Sequence, residues 1–153
     1  MDALESLERD VVEKCLKGED DILAILREQF KAAIIGKREK TGVGFYTTFL
    51  IQPQAPRIPE SLSVAISDVI GEVDGVAHGV GFVLFLTNGV LDMLEGYTYD
   101  EPWPSLVSTY RLEYRNGSRD LEALSKELHP SGGIARSIAG STFHSLRDNL
   151  PLM

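Results

Sequence analysis

The stretch HGVGFVLFLTNGVLDMLEGYTYDEPWP, residues 78 to 104, holds two apolar runs separated by Asn88-Gly89. That dipeptide signals a two-residue type I′ turn, because both central positions need positive φ and Asn and Gly tolerate it best. A two-residue loop decides who faces whom. Thr87 then opposes Val90 and Leu86 opposes Leu91. A regular ladder continues outward on the Leu86 face through Leu84/Met93, Phe82/Glu95, Val80/Tyr97 and His78/Tyr99. The Thr87 face continues through Phe85/Asp92, Val83/Leu94 and Gly81/Gly96. In this register Glu95 is a lone carboxylate on an otherwise apolar face.

Outward from the hairpin, Leu4, Leu7, Val11 and Cys15, flanked by Val12 and Leu16, recur at helical spacing. They predict an amphipathic helix from about Asp2 to Lys17, with Gly18 placed as its C-cap glycine. Glu19-Asp20-Asp21 suits the positive end of a second helix whose inward face is Ile22, Ile25, Leu26, Gln29/Phe30 and Ala33. Ile34-Ile35 opens the first strand, Lys37 to Lys40 reads as a solvated basic turn, and Val43 to Gln52 alternates as a strand. The proline-bearing segment Gln52 to Pro59 is an irregular connection. Asp68 to Val76 reads as a strand, since β-branched residues dominate and Gly71 and Gly75 weaken a helix. Val107 to Tyr114 alternates as the last strand. Ser118 then caps a short helix carrying Leu121, Leu124 and Leu128. The tail, 131–153, has a weak helical pattern at Ile134, Ile138 and Leu146 and either lies loosely or docks on a second subunit.

Together these elements predict one α+β domain over residues 1–153. Two helices occupy about 2–33, a twisted antiparallel β-sheet of five to six strands about 34–115, and a short C-terminal helix with its tail 118–153. The N-terminal helices pack on one face of the sheet. The other is expected to be buried by the C-terminal segment or by a second copy, a homodimer being the cheapest cover.

The near repeat Gly42-Val43-Gly44-Phe45 and Gly79-Val80-Gly81-Phe82 is not a dinucleotide fingerprint. It lacks the third glycine and precedes strands instead of opening a helix. Glycines at strand starts permit close backbone approach or a bulge, so the repeat is read as structural.

With 153 residues, 43% apolar and 25% charged, the chain suits one globular domain. No apolar run approaches the ~20 residues that span a bilayer, and the acidic start MDALESLERD carries no secretory signal. The single Cys15 excludes an internal disulfide framework and fits a reducing cytoplasm. A net charge of −8 argues against nucleic acid and anionic membranes, and is compatible with a basic protein partner or with plain solubility.

No Walker loop, GxSxG elbow or HExxH pattern is present. His78, His129 and His144 lie far apart, so neither a metal site nor any other cofactor is expected. The candidate chemistry is Glu95, with His78, Tyr97 and Tyr99 on one face: a carboxylate beside Phe82 and Met93 would be desolvated, as a general acid or base often is. Glu95 and His78 are thus the catalytic candidates. The plainer role for Glu95 is to pair with an arginine, Arg111 being placed for it, or to accept a tyrosine hydroxyl. A second cluster, Tyr97, Tyr99, Asp100, Glu101 and Trp103, is stiffened by Pro102 and Pro104 and has the acidic-aromatic make-up of a partner-binding loop. Alternatively, Trp103 caps the core while Asp100 and Glu101 face water.

The GFVLF…NG…LEGYTY…WP core of this segment resembles small bacterial proteins of unknown function. The resemblance implies a bacterial type of protein and assigns no functional residues. Two expectations of function follow from the residues. The first is a non-enzymatic binding protein, such as an immunity- or antitoxin-like protein for a basic partner. The second is a small-ligand-binding protein, or an unclassified enzyme, using a sheet-lined pocket around Glu95 and Tyr97.

Overall fold

Asn88 and Gly89 both take positive φ, 50° and 81°, in the computed structural model, which describes residues 3–58 and 61–130. They join β5 (Val80–Thr87) to β6 (Val90–Thr98), the pair at the heart of a seven-stranded antiparallel sheet that does not close. The other strands are β1 (Ile34–Lys40), β2 (Gly44–Leu50), β3 (Val64–Ile66), β4 (Val69–Val73) and β7 (Tyr110–Tyr114). Their order is β1-β2-β6-β5-β4-β7, with β3 also on β5. Helices α1 (Ala3–Cys15), α2 (Asp21–Lys31) and α3 (Leu121–Leu128) complete the expected α+β fold. The reading of the tail, with His144, falls outside the described residues.

Near its turn the hairpin has the expected pairs, Thr87/Val90 and Leu86/Leu91. Beyond them the regular ladder fails. Phe85 pairs with Met93, which leaves Asp92 as an extra residue in β6, a β-bulge. Every later pair moves by one: Leu84 with Leu94, Val83 with Glu95, Phe82 with Gly96, Gly81 with Tyr97 and Val80 with Thr98. Glu95 therefore does not oppose Phe82, and His78 does not oppose Tyr99. The physical reason is burial. Leu91 and Leu94, three residues apart, are 1% and 0% exposed, and an unbroken strand would point them to opposite faces. The bulge lets both enter the core, and Asp92 turns its carboxylate to the Thr87 hydroxyl at 2.9 Å.

The sheet also contains a strand absent from the expectation. Val64–Ile66 pairs with Leu86 to Leu84, and after a break at Ser67-Asp68, Ile70-Gly71 pairs with Gly81 and Val80. Lys37 to Lys40 is not a turn but the body of β1. What holds it there is Arg38, whose Nε and Nη2 donate to Glu8 of α1 at 2.8 and 2.7 Å.

All three helices serve one face. Leu7, Val11, Val12, Leu23, Leu26, Leu124 and Leu128 join Phe45, Phe82, Leu84 and Leu94 in a single apolar cluster. Asp20 caps α2, accepting from the backbone N–H groups of Ile22 and Leu23, and also receives Ser125 and His129 from the α3 end. The buried Gln29 fastens α2 to the hairpin turn by accepting from Leu91 N–H and donating to the Gly89 carbonyl, both at 2.9 Å. Hydroxyls of Tyr110 and Tyr114 reach α1 at Asp10 and the Lys14 carbonyl.

Candidate functional site on the outer face of the sheet

The near repeat reveals its purpose in the register. Gly44 on β2 and Gly81 on β5 both pair with Tyr97, while the following Phe45 and Phe82 both pair with Gly96. On the helix side, a Cβ at Gly96 would strike the Phe45 ring. On the outer side, Tyr97 meets bare backbone on both flanks, and its hydroxyl end fills the space over Gly81. Small residues opposite large ones let two sets of rings pack through adjacent positions of one strand.

Two residues back on the outer face, Glu95 pairs with Tyr46 on β2 and Val83 on β5. It is 1% exposed, and its Oε1 has no hydrogen-bond partner among the described residues. Burial pushes the carboxyl up to about 7, against a hydrogen bond from the Tyr46 hydroxyl that lowers it. Such a group is shared between acid and carboxylate near neutrality. Val83 and Phe85, on the same face, are also buried. Of the plain roles expected for Glu95, the tyrosine partner is present and the arginine is not: Arg111 pairs with Glu72 at 2.8 Å in the open.

Beside Glu95 lies a second polar group. The rings of Tyr97 and Tyr99 meet edge-on with centroids 5.6 Å apart, and both hydroxyls bond the Arg115 guanidinium. Arg115 Nη2 also donates to the Ser67 carbonyl at 3.2 Å. Burial raises the Tyr97 phenol above its ordinary value, the neighbouring Tyr99 adds to this, and Arg115 opposes it. Arg115 also lines a cleft of about 620 Å³ between the β3–β4 break, the end of β7 and α3.

The remaining predicted residues lie elsewhere. His78 is exposed and lines a separate cleft of about 850 Å³ over β4 and β7. The Glu101 carboxylate accepts the backbone N–H groups of Ala77 and His78, both at 2.8 Å. The bond from Ala77 leads in holding it below its usual value. Asp100 is exposed at a positive φ of 66°. Trp103 is buried, 8% exposed, with its ring against Phe45 at 5.1 Å. Two residues of the site escaped the sequence reading, Tyr46 and Arg115. Arg115 continues the outward row of Arg111 and Glu113 one step past the expected strand end.

Among the described residues no group of three His, Cys, Asp or Glu side chains could hold a metal ion, and no helix is long and apolar enough to cross a membrane. No protein-family model, curated protein or solved structure matches this chain.

Proposed function

We propose that the protein binds a small ligand on the outer face of the sheet, with Glu95 as the ligand's polar partner and Tyr46 and Tyr97 framing it. One observation carries the reading: a carboxylate 1% exposed whose Oε1 has no partner among the described residues. Leaving a buried acceptor unpaired costs about 1–3 kcal/mol, and groups kept at that cost concentrate at functional sites. A ligand N–H, above all an ammonium, would pair with that oxygen and hold Glu95 ionised.

Near-neutral proton affinity also suits general acid–base work. The catalytic partner expected for it, His78, lies on another cleft, and so binding is favoured over catalysis. A basic protein partner docking on the 97–103 loop has less behind it, since Trp103 is in the core and Glu101 is occupied by backbone.

Carbon-13 NMR of the Glu95 carboxyl, followed against pH with and without a small primary amine, tests the proposal. The expected result is a midpoint near 7 that falls when the amine is added, with Glu95→Gln removing amine binding. A midpoint near the ordinary ~4.3, indifferent to amines, would sink it.

A further inference from the structure

We infer that the ligand of this site is a zwitterion, its amine meeting Glu95 and its carboxylate meeting Arg115 and the hydroxyls of Tyr97 and Tyr99. The inference rests on the reading of Glu95 given above and adds the opposite end of the ligand. Arg115 makes no ion pair with a carboxylate among the described residues; its partners there are the Ser67 carbonyl and two phenols, all neutral. A guanidinium offers five donors in a planar fork suited to carboxylates. A hydrogen bond also joins the Tyr97 and Tyr99 hydroxyls, so the pair that accepts from Arg115 keeps one phenol proton to donate. The cluster therefore brings positive charge and a hydroxyl donor together, while the buried Glu95 holds an unpaired acceptor on the same face.

A purely anionic ligand would have to approach a chain of net charge −8. A zwitterion brings a cation for Glu95 and an anion for Arg115, and meets no such net repulsion.

The spacing of the two ends sets the ligand's length. Glu95 and Tyr97 are same-face neighbours, roughly 7 Å apart. In strand order Val83 separates Glu95 from the β3–β4 break, where Arg115 is bonded to Ser67. Two strand spacings cover roughly 10 Å. The charges of an α-amino acid are too close to span this; an amine and a carboxylate at opposite ends of a methylene chain fit it, with the apolar Val83 between the two ends.

The test is calorimetric titration of the intact protein with epsilon-aminohexanoate, hexylamine, hexanoate and glycine. Epsilon-aminohexanoate should bind at least about tenfold more tightly than any of the other three, the worth of one charge-assisted contact. Arg115→Gln, with folding checked by circular dichroism, should bring its affinity down to that of hexylamine and leave hexylamine unchanged. If hexylamine matches the amino acid in the unaltered protein, Arg115 has no part in binding and the zwitterion is overturned, while the role of Glu95 stands. Preference for glycine or hexanoate overturns it as well. If neither hexylamine nor the amino acid binds, both proposals fall together.

Discussion

The hydroxyl end of Tyr97 occupies the space that a side chain at Gly81 would take. This packing aims the phenol away from β6 and along the sheet toward Arg115, so the bare position on β5 shapes the polar cluster without contributing a polar atom. Gly81→Ala should displace the far end of Tyr97, which can move, at a stability cost of about 1 kcal/mol or less. The larger effect should be on ligand affinity, through separation of Tyr97 from Arg115. Urea unfolding and amino-acid titration of the same variant measure the two effects; unchanged affinity would show that Tyr97 is not part of the site.

Glu95 makes stability depend on pH with a defined sign. Its carboxyl moves from an ordinary 4.5 to about 7 on folding, so the folded state holds this proton more tightly than the unfolded chain. The contribution is fully present below about pH 4.5 and is lost as pH rises through about 7, by an amount on the order of 2–3 kcal/mol. Asp20 and Glu101, held below their ordinary values, act with the opposite sign in more acidic solution. Glu95→Gln should flatten the decline between about pH 5 and about pH 8 and be at least as stable as the parent at the upper end. Denaturant midpoints across that range give the answer, and a parent protein with no decline would place Glu95 in solvent.

Arg38 neutralises a carboxylate that the core would otherwise hold alone. Glu8 is 4% exposed and also receives the Thr47 hydroxyl. Arg38→Ala should cost about 3–5 kcal/mol, whereas replacing Glu8 and Arg38 together with methionine should be close to neutral. Equal losses in the single and double variants would contradict this account.

Trp103→Ala should behave as a core truncation, losing about 3–5 kcal/mol, because its ring packs on Phe45. A variant of parental thermal stability would show that the indole is dispensable to the core.

Gly89→Val places a β-branched residue at φ 81° and should destabilise by about 1–3 kcal/mol. The same glycine gives its carbonyl to Gln29 and its N–H to the Leu62 carbonyl, so the strain would be felt in α2 and in the approach to β3. Thermal unfolding that matched the parent would mean that the turn relaxes freely.

Much of this architecture was legible because it depends on local rules: two amphipathic N-terminal helices, a turn needing positive φ, and alternating strands; the cap of α3 was not, since Asp120 and not Ser118 accepts from Ala123 N–H. What was missed depends on distant partners. Lys37 to Lys40 reads as a turn until Glu8 is known to lie beside Arg38. Val64–Ile66 is too short to show a period, and it exists by pairing with Leu84 to Leu86. The identity of Glu95 as a special carboxylate was visible, yet the pairing drawn for it was off by one because a regular ladder was assumed. The clue was present in Leu91 and Leu94, whose spacing of three cannot serve one face of a straight strand. Tyr46 was seen as a residue of the second strand, but nothing local tied that strand to β6.

The extra residue at Asp92 divides β6 into two phases. The turn-side phase answers to Gln29 and the helices; the far phase answers to Tyr46, Gly44 and Gly81. Were Asp92 kept but brought into the ladder opposite Phe85, Glu95, Tyr97 and Tyr99 would turn toward the helices and Leu94 and Gly96 away from them. A register slip of one residue would thus exchange the outer polar face with the dry interior, leaving every functional side chain in place in the sequence. Counting along this strand, as much as composition, specifies the site.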